Sequence, residues 1–440
     1  MKIASINMQS DIGGAARIAR TIIEEIQLLN IESTYFVSKI NHPNPYISKI
    51  DNYSGISKIL LEKSIKWEEQ SKKHFARIAF AASDPLNYVN HIIGVEQFRY
   101  KGMRKIISLP EFDFGLVHMH NLHSRYFDLR LLPQISHRFP SLITLHDEWL
   151  FTGHCAYSFD CERWDPSIGC GKCPNLSTYV TMRRDATRFN LKRKKRIYAK
   201  SHLNLVTPSQ WLMDRVERSI LTQVSGVRRV IHNGIDLSLY QPGDKQAVRE
   251  ALKIDQDAFV ISFISNGLWN NAFKDFESAY QAVKEAAQIS KRPIIFLAVG
   301  EEHPDEISEN LQIRFIGFQE QTDLAQFYQA SDLFIHATRA DNYPTTIMEA
   351  MACAVPVLGT NIGGVPEQII NGQNGFLFSL RDVQTLKEKI LFCIQNPEQL
   401  AQLSDNALAF AKSNFDVTRM VLEYKHLYEE IIENFKRAGQ

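Results

Sequence analysis

The chain has 440 residues, too many for one ordinary core, so two domains are expected. Hydrophobic residues make up 44% and charged residues 22%, the composition of a soluble globular protein, and 50 basic against 49 acidic residues leave a net charge of +1, which predicts no polyanionic partner. Six cysteines are too few for a disulfide scaffold, and the apolar runs AFVISFIS (258–265) and PIIFLAVG (293–300) are far shorter than the roughly 18 residues that span a bilayer.

The first run, KIASINM (2–8), reads as a strand rather than an export signal, so a cytoplasmic setting is expected. A turn with Gly13 and Gly14 follows and opens a helix that carries Arg17. Glycines at a strand-to-helix junction let backbone N–H groups approach an anion, although the same pair is equally good turn chemistry. Further β-rich runs come at 33–38, 114–119, 141–146, 203–209 and 227–233, separated by helical patterns. Ligands of open α/β sheets bind at the carboxyl ends of strands, and there the first half presents His118, His120, Asn121, His146 and Asp147.

An insertion, GHCAYSFDCERWDPSIGCGKCPN (153–175), holds Cys155, Cys161, Cys170 and Cys173 as C-x5-C-x8-C-x2-C. Four thiolates at such spacing suit a structural zinc ion, while two disulfides or free thiols remain alternatives. From Arg183 to Lys200 nine basic residues face one acid, Asp185. A charge run is commonly a solvated face; here it also suits an anionic membrane surface, while no motif supports nucleic acid. The basic run precedes a fresh strand, which sets the domain boundary near residue 200.

In the second half, strands are expected at 259–265, 294–300, 312–317, 332–337 and 355–359. Asn266 and Gly267 follow the first of these, and Lys274 lies near the next helix start. The stretch DNYPTTIME (341–349) puts Asp341 on a loop and Glu349 in a helix, with the amides of Tyr343, Thr345 and Thr346 in the unpaired first turn. Acids beside an anion-binding helix start make sense if the acids take hydroxyl groups while lysine and helix dipole take phosphates, the combination offered by a nucleotide-activated sugar. The last run, 420–435, has a helical apolar stripe that buries one face, against its own domain or against the first. Asp255–Gln256–Asp257 is read as a turn before a strand.

In order along the chain, GGAARIA (13–19), TLHDEW (144–149), VTPSQWL (206–212), VIHNGIDLSLYQP (230–242), the Lys274 region and DNYPTTIMEAMACAVPVLGTNIGGVPE (341–367) resemble the retaining glycosyltransferases of family 4. The resemblance implies a GT-B α/β fold: two Rossmann-like domains facing across a cleft. It divides the chain into an acceptor-side domain over 1–200, a nucleotide-sugar donor domain over 201–415 and a crossover helix over 416–440. It further implies that Glu349 binds the donor ribose and Asp341 the sugar hydroxyls. Lys274 neutralises the diphosphate, and His146 lies near the reacting sugar. Asn266, Gly267, Tyr343, Thr345, Thr346, Gly13, Gly14 and Arg17 complete the donor contacts, and no metal is needed for catalysis. The cysteine region is similar to that of bacterial exopolysaccharide transferases, which implies a glycan or lipid-linked oligosaccharide acceptor; docking of the basic run 183–200 on the inner face of the cell membrane would suit a lipid-linked acceptor.

The sequence departs from the family pattern in its Asp-x7-Glu acid pair and in Leu268, where the family often has Arg. These departures motivate a second reading: a catalytically silent nucleotide-sugar-binding or scaffold subunit.

Overall fold

The computed structural model describes residues 1–439. Two compact units emerge, one made of residues 1–208, 212–231 and 423 onward, the other of residues 209–211 and 232–422.

The first unit is built on strands β1 (Lys2–Gln9), β2 (Glu32–Lys39), β3 (Ile47–Lys49), β4 (Leu116–Met119), β5 (Ser141–Thr144), β6 (Asn204–Thr207) and β7 (Arg228–Val230). They lie in the order β3-β2-β1-β4-β5-β6-β7, and every pairing is parallel. The order reverses between β1 and β4, the switch point at which doubly wound sheets bind ligands. Every residue of β4 and β5 is buried, as expected where helices cover both faces of a parallel sheet.

The second unit repeats the plan with β8 (Phe259–Ile264), β9 (Ile294–Val299), β10 (Glu306–Ser308), β11 (Leu311–Ile316), β12 (Leu333–His336), β13 (Val357–Thr360) and β14 (Gly375–Phe378). Their order is β10-β11-β9-β8-β12-β13-β14, parallel throughout except for the β10–β11 edge pair. The switch point falls between β8 and β12, the strands whose C-terminal loops carry Asn266, Gly267 and Asp341.

A final helix, Val417–Ala438, starts in the second unit and ends in the first, where the Tyr424 and Tyr428 hydroxyls meet Thr144 Oγ1 at 3.0 Å and His118 Nδ1 at 2.8 Å. Asp255 and Asp257 form a turn closed by the Asp257 N–H donating to Asp255 Oδ1.

The basic run 183–200 differs in part from a solvated face. Its helix, Thr187–Tyr198, buries Lys194, whose ammonium pairs with Glu96 at 3.2 Å and donates to the carbonyls of Trp149 (2.7 Å) and Thr152 (3.1 Å). Arg193 is half-buried over the Phe98 ring and donates to the Glu96 carbonyl. A buried cation needs this full set of partners, and Glu96 lies 98 residues away in sequence.

Candidate functional site

In the second unit the loop after β8 is tied to the loop after β12. Thr338 pairs across an isolated bridge with Lys274 and donates through Oγ1 to the Phe273 carbonyl, and the Arg339 N–H donates to the same carbonyl. This lacing fixes the base of the Lys274 side chain, and its Nζ stands 2.7 Å from Asp341 Oδ2. His336, the last residue of β12, approaches the same Asp341 oxygen at 3.3 Å through Nε2, while its Nδ1 lies 3.2 Å from Thr346 Oγ1. Lys274, Asp341 and Thr346 are thus brought together around a buried histidine that strand patterning concealed within DLFIHA.

The electrostatics of this group are set by opposing effects. Burial pushes the Asp341 carboxyl up, but the Lys274 ammonium and His336 outweigh it and hold the acid well below the usual carboxylate range. Burial, joined by Lys274, holds His336 down to about 4, so the imidazole is neutral at physiological pH. The group is therefore a fixed cation and a fixed anion at the entrance to the helix Thr345–Ala352, whose unpaired first-turn amides favour an anion.

Asn271 connects this cluster to the glycine loop, its side-chain amide donating to the Asn266 carbonyl at 2.9 Å and its carbonyl accepting from the Lys274 N–H. Gly267 has φ +79°, and Gly300, at φ +129°, passes so close that a Cβ there would sit 1.6 Å from the Ser265 carbonyl oxygen. Glycine is required at that crossing. Leu268 is buried in the apolar cluster with Phe276, and the Glu301 carboxylate takes the N–H groups of Leu268 (2.8 Å) and Trp269 (3.3 Å). Leu268 fills core volume, and the adjoining amides are capped by an anion already present.

Glu349 and Tyr343 have partners of their own. Glu349 is buried and accepts the Tyr328 hydroxyl at 2.8 Å. Tyr343, also buried, stacks on His232 with ring centroids 4.8 Å apart, and its carbonyl accepts from Asn233. Thr345 is half-buried at the helix start.

In the first unit the histidines after β4 and β5 form a column. His118 is held between Tyr428 and Thr144, each at 2.8 Å. His120 Nδ1 lies 3.1 Å from His146 Nε2 in a stacked pair, and His120 Nε2 is buried with no hydrogen-bond partner among the described residues. Burial holds His118 down to about 3 and His146 to about 4, and pushes His120 well below its ordinary value. These groups fold neutral and must charge in acid. Their contribution to stability is complete above the unfolded histidine value of about 6.5 and is lost as pH falls from there toward about 4. The melting temperature is expected to drop steeply between those pH values, and a His118→Gln variant to show a shallower drop; a flat wild-type profile would contradict the neutral column.

Beside the column, His123 Nε2 pairs with Asp147 at 2.9 Å, while its Nδ1 meets Ser124 Oγ at 2.6 Å, and Ser124 Oγ meets Tyr179 OH at 2.8 Å. His123, Ser124 and Trp149 line a cavity of about 80 Å³ together with Arg125 and His91. Sequence reasoning passed over His123, whose only signal is its place in the loop that follows β4. Gly13 and Gly14 are exposed at the N-terminus of the helix Gly14–Leu28, and half-buried Arg17 donates its backbone N–H to the Gly13 carbonyl.

Cys155, Cys161, Cys170 and Cys173 are free thiols around one small cavity that His154 also lines. His154 Nε2 lies 3.3 Å from Cys173 Sγ, and Nδ1 is 2.8 Å from the Val180 carbonyl. Among the described residues no group of three or more His, Cys, Asp or Glu side chains is placed to hold a metal ion. Glu148 anchors the insertion, accepting the Ser158 N–H and lying 2.8 Å from Arg215 Nε.

Residues 244–410 match the family Glycosyl transferases group 1. The chain is 25% identical over 334 residues to the protein named "Putative colanic acid biosynthesis glycosyl transferase WcaC" of Escherichia coli (strain K12), an alignment covering 72% of this chain and 76% of that one. It is 23% identical to the N-acetyl-alpha-D-glucosaminyl L-malate synthase of Bacillus anthracis over 48% of this chain, spanning 55%, about half, of that relative's length. Among solved structures it is similar to the sucrose-phosphate synthase of Thermosynechococcus elongatus, with TM-score 0.67 at 16% identity and coverage of 98% of this chain and 99% of that one. It is also similar to HepE of Anabaena in complex with UDP-glucose, with TM-score 0.60 at 16% identity and coverage of 98% and 100%. These neighbours identify the fold as GT-B.

Proposed function

We propose that this chain, whose residues 244–410 match Glycosyl transferases group 1 and whose fold is GT-B, transfers a hexose from a nucleoside-diphosphate sugar, with retention and without a catalytic metal, to a glycan or lipid-linked oligosaccharide. The observation that carries the reading is the Lys274–Asp341 pair at the mouth of the helix Thr345–Ala352. A retaining transfer passes through an oxocarbenium-like state while charge grows on the departing diphosphate, which calls for a fixed cation and oriented amides. Lys274 supplies the cation, with the helix amides beside it. Asp341, ionised at all ordinary pH, takes sugar hydroxyls, and Glu349 takes the ribose. The UDP-glucose held by HepE and the colanic acid assignment of WcaC favour a uridine donor and a surface-polysaccharide product.

His146, whose Nε2 lies 3.1 Å from His120 Nδ1, serves the acceptor in this reading. Its neutral imidazole can accept or donate one hydrogen bond at a sugar hydroxyl without adding charge to a cationic transition state.

Calorimetric titration with UDP, GDP, ADP and their sugar conjugates tests the reading, with one nucleotide expected to bind. Binding of none would remove the donor site. His146→Ala is expected to lower kcat by at least about tenfold, roughly 1.4 kcal/mol, while leaving donor affinity nearly intact; the opposite split takes His146 out of the reaction. The second reading, a silent binding subunit, follows from the capped amides at Leu268 and Trp269, and donor binding without turnover against any acceptor would favour it.

The spacing of the four thiols keeps structural zinc as a proposal that their positions do not yet satisfy. Metal analysis is expected to return about one equivalent, lost in Cys170→Ser with Cys173→Ser; a metal-free, fully active preparation removes it.

A further inference from the structure

Three consecutive helices of the first unit, Gly55–Glu69, Lys73–Ser83 and Pro85–Ile93, leave apolar side chains on their outer faces. Ile56 and Ile59 stand one turn apart on the first, Phe75 and Ile78 on the second, and Leu86, Val89 and Ile93 at i, i+3 and i+7 on the third. These are well exposed, Ile56 at 77%, Phe75 at 57% and Ile78 at 55%. A third of the exposed large apolar side chains of the described residues fall here, on under a tenth of the chain. The inward faces are filled separately, by Ala76, Ala79 and Ser83 on the middle helix and by Ser64, whose hydroxyl donates to the Ala76 carbonyl. The outer stripes are thus additional to what folding requires. A concentration of exposed apolar surface of this kind marks a docking face.

Two observations identify what docks there. Lys63, Lys66, Lys72, Lys73 and Arg77 are exposed among the apolar residues, outnumbering the exposed Glu62 and Glu68. The third helix then ends against the basic segment found in the sequence: Gly94 lies so near Arg184 that a Cβ would sit 1.8 Å from its carbonyl oxygen, and Asn190 donates to the Gly94 carbonyl at 3.0 Å. Although Lys194 and Arg193 turn inward, Arg183, Arg184, Arg188, Lys192, Lys195 and Arg196 remain exposed, with Phe189 52% exposed among them. Apolar side chains continuous with a basic field, and an aromatic inside that field, match the two layers of a membrane boundary: acyl chains below, anionic headgroups above. A protein partner would need apolar surface alone or a matching acidic patch; it would not call for this layering.

We propose that the face formed by these three helices and the exposed side of residues 183–200 seats the protein on an anionic lipid bilayer. Lysine stems lie along the apolar layer while their ammonium groups reach the headgroups. His91, on the third helix, also lines the cavity that holds His123, Ser124 and Trp149, so docking brings that cavity to the membrane surface, where the sugar of a lipid-linked acceptor is displayed. This last step rests on the proposed acceptor; the docking face itself does not.

The experiment is co-sedimentation of the full chain with vesicles of one part phosphatidylglycerol to two parts phosphatidylcholine, and with phosphatidylcholine alone. Binding to the anionic vesicles, at least tenfold weaker to the neutral ones, is expected. Ile78→Glu with Val89→Glu, and separately Lys192→Glu with Arg196→Glu, should each weaken it at least tenfold while leaving the melting temperature unchanged, since all four side chains are exposed. The inference is overturned if the wild type stays in solution with anionic vesicles, or if both double variants bind as well as it does. It is equally overturned if sedimentation velocity shows a dimer that Ile78→Glu with Val89→Glu dissolves, because a second copy then covers the face. Titration of the same preparations with UDP, GDP, ADP and their sugar conjugates separates this inference from the donor reading: nucleotide binding without vesicle binding defeats only the docking face, and vesicle binding without binding of any of these nucleotides defeats only the donor site.

Discussion

Lys274→Ala is expected to reduce kcat/KM by about 100- to 1,000-fold, some 2.7–4 kcal/mol, the usual effect of losing a preorganised group aimed at developing charge. The size follows from how the ammonium is held. Its backbone is fixed by the bridge to Thr338, and its Nζ rests 2.7 Å from Asp341. Little reorganisation is therefore needed when charge appears on a departing diphosphate. The variant should also change the pH dependence. In the wild type Lys274, with His336, keeps Asp341 ionised far into acid; without the lysine the carboxyl titrates higher. The acidic limb of the kcat/KM profile should therefore move toward neutrality in Lys274→Ala. A variant that merely loosened the loop would lower activity without displacing that limb, and unchanged activity would remove Lys274 from the site.

Glu349→Gln is expected to weaken binding of the nucleotide at least tenfold, about 1.4 kcal/mol, with little loss of stability. The amide keeps the volume of the carboxylate and an oxygen for the Tyr328 hydroxyl, but gives up the charge that strengthens a hydrogen bond from a ribose hydroxyl. Glu349→Ala should behave differently, because it leaves the buried Tyr328 hydroxyl without that acceptor and costs about 1–3 kcal/mol of stability besides. Tyr328→Phe isolates the structural share: affinity within about twofold of wild type is expected, with stability reduced by about 0.5–1.5 kcal/mol. Should Glu349→Gln bind nucleotide as the wild type does, Glu349 is a core group serving Tyr328 and the ribose contact lies elsewhere.

Eleven of the fourteen strands among the described residues were legible because each is a short apolar run bounded by polar loops, the mark of a strand covered on both faces. The others gave weaker signals. Ile47–Lys49 and Glu306–Ser308 are three-residue edge strands with half-exposed faces, and Gly375–Phe378 begins with glycine directly after a turn. In the site, Asp341 and Lys274 were visible as residue types at strand ends. Their contact across 67 residues was not, and neither was the wedging of His336 between Asp341 and Thr346. Leu268 read as a missing cation, yet it occupies core volume beside Phe276. Lys194 read as part of a solvated face because a single sequence cannot show that Glu96 waits for it inside. In each case local pattern revealed the backbone element, and a partner distant in sequence decided what the side chain does.

The return helix carries a consequence for biosynthesis. His118 and Tyr428 are hydrogen-bonded partners separated by 310 residues. At roughly 5–20 residues per second a ribosome needs on the order of 15–60 s to bring the second after the first. Throughout that interval the strand bearing His118 can be made but not closed, for the surface that Tyr424 and Tyr428 cover stays open. The half translated first is therefore the half completed last, and the nascent protein passes through a stage in which its later sheet can be finished while its earlier one still waits. A chaperone that shields that strand end during synthesis would cover the same surface that Tyr424 and Tyr428 later close.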